Sequence, residues 1–133
     1  MLIIKPIQEK SQQQQICEVC LTTYRPECFA YSAFEGETLI GICQFAMSNG
    51  KAELIDLKCV PETSDEEALF IMARAMMSFV EKCGIAELSA ASNSAGETPA
   101  GTAFLKKLGF KQTNGVYTAN LSQIFKCRNS DAK

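Results

Sequence analysis

The spacing of hydrophobic positions changes along the chain, and each change marks an element. Leu54 to Val60 is apolar with Asp56 and Lys58 interleaved, which predicts a strand, and Pro61 ends it by removing a backbone donor. Leu69, Met72, Ala73, Met76, Phe79, Val80 and Cys83 then recur at helical spacing, predicting a long helix with this face inward. Ser64 with Glu67 three residues later forms a capping box, and Asp65, Glu66 and Glu67 suit the positive end of the helix dipole. Gly84 supplies the stop. The methionines on this face read as core filling.

The other segments have signals of their own. Met1 to Gln8, broken by Pro6, suits an edge strand. A helix is expected to open in the polar run Glu9 to Gln15, turn Ile16, Val19, Cys20 and Tyr24 inward, and end before Pro26. Phe29 to Glu35 alternates apolar and polar residues, the period of a half-buried strand. After a turn at Gly36-Glu37, Thr38 to Met47 is a second strand, in which Gly41 suggests a bulge or a close backbone approach. Asn49-Gly50 is a hairpin signal, since a type I′ turn needs positive φ at both central residues. Ile85 to Ala91 is a strand reached through a helical crossover, and so expected to run parallel to its predecessor. Thr98-Pro99 is expected to cap a short helix reaching Gly109. Phe110 to Thr113 and Val116 to Leu121, joined by Asn114-Gly115, form a last hairpin, and a polar tail follows over 126–133.

Composition narrows the chemistry. A chain of 133 residues, 47% hydrophobic and 21% charged, fits one globular domain. A formal net charge of −2 gives no sign of a nucleic-acid surface. No apolar run has the length of a membrane span and no signal-peptide pattern opens the chain, so a cytoplasmic protein without membrane contact is expected. The absence of histidine removes Ser-His and Cys-His pairs and the commonest general base. Seven cysteines, an odd number spread through strands and helices, read as reduced core thiols. Cys17 and Cys20 form a CxxC pair with Cys28 nearby, but a four-ligand zinc site lacks further partners. No metal is expected, and a metal or redox role for these three remains the outlying alternative.

In element order the chain resembles the GNAT (N-acetyltransferase) superfamily over residues 1–125. EGETLIGICQF is similar to its second hairpin, NGKAELIDLKCVPE to its central strand with the closing V-x-P-E, and KKLGF to the end of its fourth helix. The resemblance implies a single α+β (α/β) domain with a mixed, mostly antiparallel sheet flanked by helices. It also implies transfer of an acetyl group from acetyl-CoA to the amine of a small molecule or peptide. The cofactor would enter where the central strand splays from the next one, with its pyrophosphate on backbone N–H groups at the following helix start. Cofactor contacts would fall on Lys58, Cys59, Val60, Ser64, Glu66, Glu67, Ala68 and Leu69.

The chain departs from the family pattern in that stretch. Where the family has R/Q-x-x-G-x-G/A, the Arg/Gln position is Ser64 and the two Gly/Ala positions are Glu67 and Leu69. Two like charges about 4 Å apart repel by ~1 kcal/mol even in bulk water, so Asp65, Glu66 and Glu67 oppose an anionic ligand there. The tyrosine that protonates the leaving thiolate in many members is matched by Leu105, which has no proton to give. Glu53 and Asp56 are the candidate bases. Two readings follow: an N-acetyltransferase with an altered pyrophosphate loop, or a non-catalytic module that keeps the fold for binding.

Overall fold

Period-two patterning through the first half of the chain builds consecutive antiparallel strands, and the helical pattern after Pro61 carries the chain back across them. The computed structural model describes residues 1–63, 65–91 and 99–125. Its elements are β1 (Leu2–Pro6), α1 (Lys10–Val19), β2 (Phe29–Glu35), β3 (Thr38–Ser48), β4 (Lys51–Cys59), α2 (Glu66–Lys82), β5 (Glu87–Ala91), α3 (Pro99–Leu108), β6 (Lys111–Thr113), β7 (Val116–Asn120) and α4 (Leu121–Ile124). All seven strands form one sheet in the order β1-β2-β3-β4-β5-β7-β6. Only β4 and β5 pair in parallel, as the helical crossover between them requires. The fold is therefore the mixed, mostly antiparallel α+β sheet expected.

Two tight hairpins set the register. Asn49 and Gly50 have φ of 53° and 75°, and Asn114 and Gly115 have 53° and 81°. Both pairs meet the left-handed requirement of a type I′ turn. Gly41 confirms the close approach: a Cβ there would sit 2.5 Å from the Lys58 carbonyl oxygen on β4. A bulge lies beside it, because Ala33 pairs with Gly41 and Phe34 with Leu39, leaving Ile40 as the extra residue.

The main core lies between one face of the sheet and α2. Met72, Ala73, Met76, Met77 and Val80 pack against Cys43, Phe45, Leu54, Leu57 and Leu88, and Leu105 and Leu108 of α3 join the same cluster. The opposite face is covered over β2 and β3 by α1, where Ile16, Cys17 and Cys20 meet Ala30, Ile42 and Val60.

Some boundaries and orientations differ from expectation. The N-cap of α2 is Asp65, whose side chain accepts from the Ala68 amide at 3.0 Å; Ser64 lies outside the described residues. Val19 is exposed because α1 buries the narrower stripe Gln13, Ile16, Cys17, with Cys20 just past its end. Phe79 is part-exposed at the rim of an aromatic cluster with Tyr31 and Phe45, and Cys83 is exposed as the C-cap residue of α2. Strand β4 begins at Lys51, before Leu54, and β5 begins at Glu87, after Ile85. Leu121 opens the short helix α4, capped by Asn120, where a strand end was expected. The expected cap at Thr98 and the tail fall outside the described residues.

Candidate functional site

Strand β4 is bonded unequally on its two sides. Against β3 its pairing runs from Ser48/Lys51 to Gly41/Cys59. Against β5 it covers only Ala52/Leu88 to Leu54/Ala90. From Ile55 onward β4 therefore has no described strand partner on its β5 side. Ile55 is also the extra residue of a bulge, since Gln44 pairs with Asp56 and Phe45 with Leu54. A bulge bends its strand and resets the alternation of faces. Beyond the bulge, the β4 amides and carbonyls not bonded to β3 have no strand partner among the described residues.

The resetting puts three chemical groups on one face. Leu54 and Leu57 both enter the core beneath α2, so Glu53, Asp56 and Lys58 all point to the other side. Glu53 is exposed and, with Ala46, Ser48, Lys51 and Ser89, lines an open cavity of about 320 Å³. Asp56 is committed elsewhere. Its Oδ2 accepts from Gln44 Nε2 at 2.9 Å and faces Arg25 Nε at 3.6 Å. Gln44 Nε2 also donates to the Thr23 carbonyl at 2.8 Å, and Gln44 Oε1 accepts from Gln13 Nε2 and from the Arg25 amide. Gln44 is fully buried with both its polar atoms bonded, as a buried amide must be. The network ties the loop between α1 and β2 to the centre of the sheet. Of the two candidate bases, Asp56 is engaged, and Glu53 has no hydrogen-bond or ion-pair partner among the described residues.

The remaining cofactor positions from the sequence gather at the far end of β4. Lys58 is exposed, and Cys59 is half-buried with its thiol donating to the Thr63 carbonyl at 3.3 Å. Val60 continues the ladder, its amide bonding the Ile40 carbonyl at 2.8 Å. Glu66 and Glu67 stand exposed in the first turn of α2, Ala68 is buried, and Leu69 is half-buried close to Gly41. Capping by Asp65 matters here. Its carboxylate already occupies the Ala68 N–H, one of the orphan donors that would otherwise face an anion at the helix start. With Glu66 and Glu67 beside it, that start does not fit a diphosphate.

No family model matches the sequence, and no curated protein matches it. Solved structures do match. The PaiA N-acetyltransferase of Thermoplasma acidophilum, solved with coenzyme A, is 17% identical, with 90% of this chain and 99% of that one covered at a TM-score of 0.70. The IAA acetyltransferase of Bacillus cereus is 14% identical, with 90% and 99% covered at 0.67. KacTA, solved with DNA, is 15% identical, with 98% and 100% covered at 0.72. The fold is that of the GNAT N-acetyltransferases.

Within that GNAT fold, Leu105 is fully buried in the core, so no proton donor stands at its position. Cys17 in α1 and Cys20 just past its end are buried packing groups: burial pushes the Cys17 thiol up to about 11, with the Asp56 charge adding to it, and the Cys20 thiol up to about 12. No group of three or more metal-ligating side chains occurs among the described residues. No described helix is long and apolar enough to cross a membrane. Sequence reasoning missed the Gln13–Gln44–Asp56 network. Its signal was a glutamine inside the otherwise apolar run Leu39 to Met47.

Proposed function

We propose that the chain binds acetyl-CoA along the open edge of β4 and passes the acetyl group to an amine. The observation that carries this is the one-sided pairing of β4: among the described residues no strand pairs with Ile55 to Cys59 on the β5 side. When bound, acetyl-CoA supplies an activated thioester. Glu53, which lines the cavity beside β4, takes the proton released as the amine nitrogen bonds to the acetyl carbon in this reading. Leu105 offers the departing sulfur no proton, so that proton comes from solvent or from the acceptor. The acceptor is a small-molecule or peptide amine: the cavity beside Glu53 is small and the net charge of −2 does not favour a nucleic acid. A soluble cytoplasmic protein is the setting this implies.

A second reading is a GNAT-fold binding module without catalysis. Asp65, Glu66 and Glu67 at the helix start and Leu105 at the acid position support it. Calorimetric titration of acetyl-CoA and of pantetheine into the protein separates the readings. Micromolar binding of the cofactor, followed by turnover of any amine in a panel above background, supports transfer. Binding without turnover supports the module, and silence toward both ligands overturns the acetyl-CoA reading.

A further inference from the structure

The cavity beside Glu53 has a chemical direction. Lys51 and Glu53 are two residues apart on β4 and both are exposed, on the face turned away from Ala52 and Leu54, which enter the core under α2. At about 3.4 Å per residue their Cα atoms are about 7 Å apart along the strand. Register fixes their neighbours. Ser48 of β3 stands opposite Lys51 and Ala46 opposite Glu53, while Ser89 of β5 stands on the other side of Glu53. All five line the same cavity of about 320 Å³.

The two ends of that cavity differ. Toward the last β4–β5 pair, Leu54/Ala90, it presents acceptors. These are the Glu53 carboxylate and the Ser89 hydroxyl, which donates to the Ala52 carbonyl at 3.4 Å and so keeps its lone pairs for an incoming donor. Toward the hairpin turn it presents the Lys51 ammonium, with the Ser48 hydroxyl on the neighbouring strand. No ion pair joins Lys51 to Glu53, or to Glu87 on the same face of β5, among the described residues. Opposite charges held at the two ends of one small cavity fit a ligand with opposite charges at its own two ends. Glu53 is also one residue before Leu54, where the β4–β5 pairing stops, so the acceptor end lies next to the edge proposed for the cofactor.

We propose that this cavity takes a small amino acid as the acetyl acceptor, its amine at Glu53 and Ser89 and its carboxylate at Lys51. This rests on the acetyl-transfer reading above and makes Lys51 the residue that sets acceptor specificity. Size favours a small molecule, since the cavity of about 320 Å³ lies at the low end of the ~300–1,000 Å³ of ligand pockets. A diamine would set its second ammonium against that of Lys51, a like-charge contact. A lysine side chain within a peptide would bring no carboxylate to it.

The test has a binding arm and a turnover arm, each run on wild type, Lys51→Gln and Lys51→Arg. Lys51 is exposed beside the hairpin turn, so neither substitution disturbs the core. Calorimetric titration without cofactor compares glycine, β-alanine and 4-aminobutyrate with the amide of each and with diamines of matching length. Wild type is expected to bind at least one amino acid about tenfold tighter than its amide, the scale of one charge-assisted hydrogen bond. That preference falls to near unity in Lys51→Gln and is largely kept in Lys51→Arg. Release of coenzyme A from acetyl-CoA then repeats the comparison, with the same preference expected in kcat/KM and carried by KM. Amides and diamines that react as well as amino acids in wild type, or a preference unchanged in Lys51→Gln, overturn the proposal while acetyl transfer stands. Amino-acid binding that depends on Lys51, with no binding of acetyl-CoA, supports the cavity as an amino-acid site and sinks the transfer reading. No amino acid bound or acetylated by wild type overturns the proposal, whatever the cofactor does.

Discussion

The two edges of β4 belong to the same residues and do opposite work. Toward β3, the strand is bonded along its length, braced by the close approach at Gly41 and by the buried amide of Gln44. Toward β5, pairing stops at Leu54/Ala90, and no strand follows on that side among the described residues. An open strand edge is normally a liability that folds cover or blunt. Here it begins at a bulge, where a ligand strand of the right chemistry would complete it.

Substitutions on the braced edge carry the largest expected effects. Gln44→Leu strips the Arg25 amide and the Thr23 carbonyl of their partner and frees Asp56, so a loss of about 3 kcal/mol in denaturant unfolding is expected. A loss below about 0.5 kcal/mol would mean that the network does not brace the strand. Gly41→Ala places a Cβ against the Lys58 carbonyl, where backbone must move, and about 2 kcal/mol of destabilisation is expected. If the braced edge matters to the open one, both variants also weaken acetyl-CoA binding in calorimetry.

On the open side the expected changes are in affinity, with stability nearly constant. Asp65→Ser keeps an N-cap while removing a charge at the start of α2, so stability should hold within about 0.5 kcal/mol while coenzyme A binds more tightly. Weaker binding in that variant would show that Asp65 helps rather than opposes the ligand. The smallest effect is in the thiols. In the unfolded chain they lose protons near pH 9, whereas burial raises Cys17 to about 11 and Cys20 to about 12 in the fold. Their contribution to stability is therefore full below pH 9 and falls as pH rises through 11–12. Thermal melts should be flat in this respect below pH 9 and decline above it, and Cys17 and Cys20 should label with a maleimide only after unfolding.

Most of the scaffold was legible because its signals are local. Asn49-Gly50 and Asn114-Gly115 each demand a turn, and the apolar period from Met72 to Val80 permits only a helix. The braced edge was less legible. Gln44 reads as an interruption until the loop at Thr23 and Arg25 is folded over it, because its partners are distant in sequence. The bulge at Ile55 was invisible for a related reason: it depends on pairing with β3, and without it Glu53 and Asp56 would not share a face. The helix cap was read one residue early because Ser64 and Asp65 both have capping side chains, and only the geometry places Asp65 on the Ala68 amide.

The central claim is that the unpaired edge of β4 receives the pantetheine arm of acetyl-CoA. Hydrogen exchange followed amide by amide, with and without acetyl-CoA, tests it directly. The account predicts slowed exchange within Ile55 to Cys59, at those amides not already bonded to β3, with little change in β1 or β2. Binding of acetyl-CoA with no protection in that segment would contradict it.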